Sequence, residues 1–202
     1  MSEKSPIAFY FDFASPYGWL ASHGIDGLAA KYGRRVDWRP IMLGAALKVT
    51  GVQPNVTTPL KGDYLRRDVA RCARLMGLDY REPANMPMNA LAASRAYYWL
   101  RQDDGFKAKA LARAVWAAYF GQGRDPSEVA VVAEIGASLG IDPDALTAAC
   151  QDPAVKEVLR VETDDAVARG VFGSPFFFVD GEPFWGHDRV DQLERWMGGG
   201  AW

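Results

Sequence analysis

The chain has 202 residues, of which 49% are hydrophobic, and it carries a formal net charge of −2. A hydrophobic chain of this length can bury a substantial core, so we expect one enlarged domain spanning residues 1–202. Its 23 basic and 25 acidic residues are spread along the whole length, and without a basic patch the chain has no electrostatic footprint for nucleic acid.

The chain opens on a short polar stretch, Met1 to Pro6, that leads straight into a strand. Ile7 to Phe13 is β-branched and aromatic with almost no polar residues, which is typical of a strand buried on both faces. A signal peptide needs a charged head before a long apolar run, and a membrane span needs a longer run still. We expect neither, and no membrane partner.

A β-α-β unit is predicted at this point. Ser15-Pro16 has the chemistry of a helix start, because serine caps free amides and the missing N–H of proline costs nothing at the first position. The helix is predicted to run to about Tyr32 and to stop at Gly33. Val36 to Trp38, flanked by arginines, then indicates a second strand.

A long helical region is predicted from about Pro59 to Gly170, where Ala-rich and Leu-rich amphipathic runs are broken by Gly and Pro. Three Asp-Pro pairs predict helix starts within it. Asp125-Pro126, followed by Glu128, resembles a capping box, and Asp142-Pro143 and Asp152-Pro153 repeat the arrangement.

Strand signals return after the helical region. Phe176 to Val179, the turn pair Asp180-Gly181 and then Pro183 to Trp185 predict a hairpin, and Asp188 to Met197 predicts a closing helix. The order β-α-β, helices, β-β-α is typical of an α/β, thioredoxin-like core interrupted by an inserted all-helical region at about 59–170.

Residue types that bind metals or exchange disulfides are scarce. Cys72 and Cys150 lie far apart, and neither belongs to a Cys-x-x-Cys or metal-ligand spacing. The only histidines are His23 and His187. We therefore expect no metal site, and this use of cysteine suits a reducing cytoplasm.

The junction between the first strand and the first helix is a candidate site. A helix N-terminus stabilises an anion such as a thiolate, and redox members of the thioredoxin-like fold place a reactive cysteine there. This chain has Ser15 instead, which excludes thiol-disulfide exchange at that position. The Ser15 hydroxyl either donates to a thiolate supplied from outside or serves only as a helix cap. Asp12, just upstream, either steers protons from beneath the site or is a structural residue.

Two further motifs lie near the end of the chain. Val171 to Pro175 leads into a strand and predicts a cis Ser174-Pro175 bond, whose loop would face the first helix and offer its backbone to an extended peptide; an ordinary loop proline is the alternative. In Trp185 to Arg189, free amides and the Asp188 carboxylate would bind an α-amino-acid head group; otherwise Asp188 caps the last helix and His187 is a solvated turn residue.

Four stretches resemble the 2-hydroxychromene-2-carboxylate isomerases: Phe9 to Leu20, Leu60 to Tyr64, Met86 to Asn89 and Gly170 to Arg189. That family has a DsbA-like thioredoxin fold and is closely related to kappa-class glutathione transferases. The resemblance spans nearly the whole chain, and its last motif is long enough to be specific.

The resemblance implies glutathione as cofactor. The glutathione sulfur would lie beside Ser15 as the catalytic residue, and the cysteinyl backbone would pair with Ser174 ahead of cis Pro175. His187 and Asp188 would meet the γ-glutamyl end.

The resemblance also implies substrate-binding residues. Lys61 would bind the substrate or a glutathione carboxylate, and Asn89 would line the substrate cavity. The alternatives are a solvated lysine and a helix cap. The family often has asparagine before a Pro-rich turn where this chain has Val52, whose side chain cannot form hydrogen bonds, and this leaves substrate identity open.

The implied function is glutathione-dependent isomerisation of 2-hydroxychromene-2-carboxylate, or a similar aromatic hydroxy-acid, by a cytoplasmic enzyme of aromatic breakdown. Relatives suggest a homodimer. One alternative is a kappa-like transferase that consumes glutathione. Another is a non-catalytic peptide-binding protein that kept the cis-proline groove and lost the cysteines.

Overall fold

The computed structural model describes residues 4–199. A mixed four-stranded sheet forms the centre of the fold. The strands are β1 (Ile7–Phe11), β2 (Val36–Pro40), β3 (Phe176–Val179) and β4 (Glu182–Trp185), in the order β2-β1-β3-β4. β1 pairs parallel with β2 and antiparallel with β3, which pairs antiparallel with β4. This arrangement confirms the thioredoxin-like α/β core. The predicted domain span, 1–202, extends beyond the described residues at both ends.

Helices surround the sheet, and most lie between β2 and β3. Within residues 4–199 they are α1 (Pro16–Ser22), α2 (Ile25–Lys31), α3 (Leu43–Thr50), α4 (Lys61–Leu75), α5 (Leu91–Asp103), α6 (Gly105–Trp116), α7 (Val129–Ala137), α8 (Pro143–Gln151), α9 (Pro153–Ala168) and α10 (Val190–Gly199). Two 3-10 turns, Asn55–Thr57 and His187–Arg189, and a π-helical turn, Ala117–Gly121, complete the set. No helix in the described range is long and apolar enough to cross a bilayer.

Both faces of β1 are buried, as the aromatic run predicts. Phe9 and Phe11 lie on one face, with ring centroids 5.0 Å apart, and Phe11 packs against Trp116 of α6 at 4.8 Å. Tyr10 lies on the opposite face in a second cluster that includes Ala166 of α9. Each buried phenylalanine contributes about 1.5–3 kcal/mol relative to an exposed one, so β1 is held as the central element.

The predicted single helix from Pro16 to Tyr32 is wrong in one respect, because the structure divides it into α1 and α2. The division follows Ser22, whose hydroxyl donates to the carbonyl oxygen of Trp19 at 2.6 Å and competes with the helical pattern. Gly24, a weak helix former, lies two residues later, just before α2. The predicted start is confirmed: Ser15 is the N-cap of α1.

The inserted helical region begins earlier than the predicted boundary at about residue 59, because α3 already starts at Leu43. The N-cap residue of α3, Met42, makes no side-chain cap, and Gly44 lies in the first turn, so the local signals of a helix start are absent. Asp142 and Asp152 are N-caps as predicted.

The capping box predicted at Asp125-Pro126 is wrong. The Oδ1 atom of Asp125 accepts from the N–H and the hydroxyl of Ser127, at 3.0 and 2.6 Å, so it caps a turn, and α7 begins only at Val129. The hairpin is confirmed. The closing helix starts as the 3-10 turn at His187 and continues as α10.

A substitution at Gly62 can test how closely α4 packs against the Asn55–Thr57 turn. A Cβ at position 62 would lie 2.5 Å from the carbonyl oxygen of Val56. We expect Gly62→Ala to destabilise the fold by about 1–3 kcal/mol, because helix and turn must separate. In Gly27→Ala, a control in α2, the new Cβ meets nothing within 4 Å, and we expect unchanged or higher stability. Urea denaturation measures both, and equal stabilities would contradict the packing at Gly62.

Candidate functional site

A cavity of about 1110 Å³ lies where the chain leaves the carboxyl ends of the parallel strands β1 and β2. This is the edge at which sheets of this kind place their ligands. The cavity wall is built by the loop after β1, by α3 and the following 3-10 turn, by α4, and by residues 86–90, 172–175 and 185–189. Every residue predicted for the site lies in it: Ser15, Lys61, Asn89, Ser174, Pro175, His187 and Asp188.

Ser15 joins the start of α1 to the loop that precedes Pro175. Its Oγ accepts the N–H of Gly18 at 3.1 Å, which caps α1, and donates to the carbonyl oxygen of Ser174 at 2.9 Å. The hydroxyl therefore caps the helix and also faces the loop on the other side of the cavity. Because a hydroxyl proton rotates freely, the same group can donate to an anion placed beside it.

The loop opposite Ser15 carries a cis peptide bond between Ser174 and Pro175, as predicted. The Ser174 Oγ accepts the N–H of Asp12 at 2.9 Å, and the carbonyl of Pro175 accepts the N–H of Gly186 at 3.0 Å. A Cβ at Gly18 would lie 3.0 Å from the Ser174 Oγ, so glycine at that position permits the close approach of α1 to this loop.

Asp12 lies beneath the site, buried, and lines its floor. Its Oδ1 accepts the N–H of Ala14 and its Oδ2 accepts the N–H of Leu43, both at 2.8 Å. Burial raises the pKa of Asp12 above its ordinary value, while the two amide hydrogen bonds act in the opposite direction.

One end of the cavity combines aromatic and acidic side chains. The His187 ring stacks on Tyr17, with centroids 4.7 Å apart and planes 15° apart. The Tyr17 hydroxyl donates to the Oδ2 of Asp68 at 2.7 Å, and Asp68 also lines the cavity. Asp188 pairs with Arg189 at 2.8 Å and stays exposed. Burial lowers the pKa of His187, although the Asp188 charge opposes that effect. This end suits an ammonium group better than an anion.

Lys61 and Asn89 face the cavity from the helical region. Lys61 begins α4, is exposed and forms no ion pair with any residue in the described range. The Oδ1 of Asn89 accepts the N–H of Leu91 at 3.1 Å, so the alternative role as helix cap is realised. Its backbone N–H donates to the hydroxyl of Ser127 at 3.0 Å.

Val52 also lines the cavity and is 54% exposed. Asn55, in the 3-10 turn that follows, belongs to the same wall. An asparagine amide is therefore available on this wall despite the valine at position 52.

Apolar side chains make up another part of the wall. Met42, Met86 and Met88 line the cavity, and flexible thioethers adapt to ligands of different outline. Phe172 and Trp185, both partly exposed, lie with ring centroids 4.8 Å apart. A planar, partly apolar ligand fits such a surface.

Neither cysteine lines the cavity. The Sγ of Cys72 lies 3.9 Å from the Oδ2 of Asp68, and Cys150 is buried. Across residues 4–199, no group of three or more His, Cys, Asp or Glu side chains is arranged to hold a metal ion.

Comparison with known proteins agrees with this fold. The model of the DsbA-like thioredoxin domain matches residues 6–198. A 2-hydroxychromene-2-carboxylate isomerase from Pseudomonas putida is 33% identical over 196 residues, covering 95% of this chain and 94% of the relative. The solved structure of a 2-hydroxychromene-2-carboxylate isomerase superposes with a TM-score of 0.86 at 32% identity, covering 95% and 94%. Glutathione S-transferase kappa 2 of Caenorhabditis elegans is 26% identical, covering 98% and 93%.

The chain belongs to the 2-hydroxychromene-2-carboxylate isomerase family.

The sequence of this 2-hydroxychromene-2-carboxylate isomerase family member did not predict every residue of the cavity wall. Asp68 lies two helical turns after Lys61, so the spacing could have placed both on one face of α4. No local signal marks the contact between Tyr17 and Asp68, which lie 51 positions apart. A second cis peptide bond, Met86–Pro87, was also missed.

The stacking of His187 on Tyr17 can be tested by titration. Because burial favours neutral imidazole, we expect His187 to titrate below its ordinary pKa of 6.5. The unfolded chain then binds more protons, so the stability from His187 is present above about pH 6.5 and lost as the pH falls through the lowered folded value. Tyr17→Leu should move the pKa upward, towards 6.5, because it uncovers one ring face.

NMR titration of the two imidazole rings measures this, and a His23→Gln variant assigns the signals. His23 lies outside the cavity wall and is the internal control, because its midpoint should not change in Tyr17→Leu. A His187 midpoint at or above 6.5 in the unaltered protein would contradict the burial of this ring.

Proposed function

We propose that this chain catalyses the glutathione-dependent isomerisation of 2-hydroxychromene-2-carboxylate, or of a similar aromatic hydroxy-acid formed in the breakdown of aromatic compounds. One observation carries the proposal. In a fold whose redox members place a cysteine at the first helix, this chain places the Ser15 hydroxyl 2.9 Å from the carbonyl oxygen of Ser174, in the wall of a large cavity. Thiol chemistry at such a site needs a sulfur from outside.

The residues around the cavity fit glutathione, a peptide with two carboxylates, an ammonium group and a thiol. Ser174, ahead of a cis proline, would pair with the cysteinyl backbone, as the resemblance implies. The carboxylate of Asp188 and the half-buried His187 suit the γ-glutamyl head group. Lys61, which has no ion-pair partner in the described range, suits a carboxylate of glutathione or of the substrate.

When bound, glutathione would supply a thiolate, whose reversible addition to the conjugated double bond of the ring-opened substrate makes that bond single and rotatable, and whose elimination after rotation restores the double bond and returns glutathione unchanged. Ser15 would stabilise the negative sulfur by redirecting its hydroxyl proton from the Ser174 carbonyl. The helix contributes less than the sequence suggests, because α1 ends at Ser22 and the N–H of Gly18 is already bound by the Ser15 Oγ. The hydroxyl is therefore the main stabilising group.

The apolar wall would hold the aromatic part of the substrate and keep water away from the reacting bond. Met42 and Met86 contribute thioethers, and Phe172 and Trp185 contribute ring faces. Lys61 would orient the substrate carboxylate or balance a charge of glutathione.

We place this reaction in the cytoplasm, where glutathione is kept reduced; the two free cysteines, Cys72 and Cys150, are compatible with that compartment. We also propose the homodimer suggested by relatives, which sedimentation equilibrium would test.

The first test of the function is Ser15→Ala. We expect turnover to fall between about 10- and 150-fold, because a hydrogen bond to a charged group is worth about 1.5–3 kcal/mol. The matched control is Ser138→Ala, which removes a hydroxyl that donates to the carbonyl of Ile135 at 2.7 Å, away from the cavity. Absorbance of substrate and product measures the rate. Unchanged turnover in Ser15→Ala, or turnover without glutathione, would refute the proposal.

A kappa-like transferase is the second candidate, because a kappa-class glutathione transferase is 26% identical over nearly the whole chain. Product analysis separates the two activities. An isomerase leaves the mass of the substrate and the glutathione concentration unchanged, whereas a transferase adds glutathione to its product. If calorimetry shows no glutathione binding at millimolar concentration, neither activity stands and a peptide-binding role remains.

A further inference from the structure

We infer that Asp12 is a positioning residue of this site, whose ionised carboxylate fixes the Ser15 loop and the start of α3 in their places on either side of the reacting sulfur. The inference rests on the proposed function. It concerns a residue that neither binds glutathione nor touches the reacting bond in that proposal, and it concerns what holds the Ser15 hydroxyl where it acts.

The contacts of Asp12 reach three separate parts of the cavity wall. Oδ1 accepts the N–H of Ala14, directly before Ser15, and Oδ2 accepts the N–H of Leu43, the first residue of α3. The backbone N–H of Asp12 donates to the Oγ of Ser174 at 2.9 Å. One residue therefore connects the serine loop, the α3 wall and the cis-proline loop.

These contacts close a ring of hydrogen bonds around the Ser15 hydroxyl. The carbonyl of Asp12 accepts the N–H of Ser15 at 2.9 Å, and the Ser15 hydroxyl donates to the carbonyl of Ser174, whose side chain is bound by Asp12. Rotation of the Asp12 peptide would move both the donor and the residue opposite it. The ring itself uses backbone groups of Asp12, and the carboxylate holds this backbone turn in place through the N–H of Ala14.

The chemistry of the contacts requires a carboxylate. Both side-chain partners are N–H donors, and a carboxylate accepts at both oxygens, whereas an asparagine amide accepts at only one. The group is only 6% exposed, and a buried charge is tolerated where hydrogen bonds satisfy it. A residue with no role beyond ending a strand would not need to retain a buried charge.

The hydrogen bond from the N–H of Leu43 to Asp12 Oδ2 also affects the apolar wall of the cavity. Leu43, Gly44 and Leu47 of α3 line the wall, and the backbone N–H of Met42 donates to the hydroxyl of Thr163 at 3.2 Å. The N–H of Leu43, the first residue of α3, is bound by the Asp12 carboxylate, and the N-cap residue, Met42, adds no side-chain cap. Loss of the hydrogen bond between Leu43 and Asp12 should therefore loosen the apolar wall without moving Ser15.

The decisive variant is Asp12→Asn, which keeps the shape and removes one acceptor. We expect turnover to fall about tenfold or more, and the pKa of the bound glutathione thiol, read from thiolate absorbance, to rise by roughly one unit. Amide hydrogen exchange, measured without glutathione, should accelerate at Ala14, Leu43 and along α3. Asp142→Asn is the control for loss of the charge alone, because both N–H groups that Asp142 accepts, at 2.9 and 3.2 Å, bond to its Oδ1, which asparagine keeps, far from the cavity.

A double variant separates positioning from general loosening. If Asp12 acts through the Ser15 hydroxyl, Asp12→Asn should change the thiol pKa much less in a Ser15→Ala background than in the unaltered protein. Additive effects on the thiol pKa would show that Asp12 acts independently of Ser15 and would overturn the inference.

Leu43→Pro tests the hydrogen bond between the N–H of Leu43 and Asp12 Oδ2. It also tests the inference if Asp12→Asn does not fold. Proline is tolerated at the first position of a helix, and Met42 before it has the extended backbone (φ −88°, ψ 94°) that proline requires. The substitution removes the N–H that bonds to Oδ2. We expect faster amide hydrogen exchange along α3, with the thiol pKa unchanged; KM is not the readout, because the Leu43 side chain itself lines the cavity.

The outcomes for the two proposals are distinct. If the unaltered protein shows no thiolate signal with glutathione, the proposed function fails, and hydrogen exchange at Ala14 and Leu43 still tests the positioning by Asp12. If glutathione binds as a thiolate but Asp12→Asn leaves exchange, turnover and thiol pKa as in Asp142→Asn, the inference about Asp12 fails alone.

Discussion

The hydrogen bond from the Ser15 hydroxyl to the Ser174 carbonyl is the interaction on which the site depends, because it joins parts of the chain that lie 159 positions apart. The sheet makes this contact possible. β1 and β3 are antiparallel neighbours, so the end of β1 and the start of β3 meet at one edge, directly beside the cavity. The cis peptide at Pro175 turns the incoming loop along that edge, and glycine at position 18 lets α1 come close to it.

Replacing a cysteine by a serine at this place changes what the fold can do. A cysteine at a helix start is a redox group, whereas a serine hydroxyl donates a hydrogen bond and accepts one, and undergoes no redox change. The short α1 and the use of the Gly18 N–H as a cap leave the hydroxyl as the main donor to an added anion. The buried carboxyl group of Asp12 lies beneath, and each of its oxygens accepts one backbone N–H. The site therefore combines a fixed donor with a sulfur that arrives with the ligand.

Local signals carried most of the fold prediction, and tertiary contacts explain its errors. The aromatic run of β1, the Asp-Gly turn between β3 and β4, and the capping aspartates at positions 142 and 152 act within a few residues, so the sequence is sufficient to predict them. α3 has no such signal, since its first N–H is bound by a carboxylate 31 positions away. The same holds for the site. Ser15 and Pro175 lie in recognisable motifs, whereas the hydrogen bond from the hydroxyl of Tyr17 to Asp68, on another helix 51 positions away, has no local signal.

The origin of the cavity wall suggests how such a site can diversify. The loops after β1, before β3 and after β4 belong to the thioredoxin-like core and contribute Ser15, Ser174 and His187. The segment from α3 to α4 and residues 86–90 lie outside that core and contribute Lys61 and the methionines. If glutathione occupies the core side, as proposed, the helical side meets the second reactant, together with the rings of Phe172 and Trp185 from the core. Changes in the helical region would then alter the substrate while the thiol chemistry stays the same, because the two sets of side chains share a cavity but not a structural element.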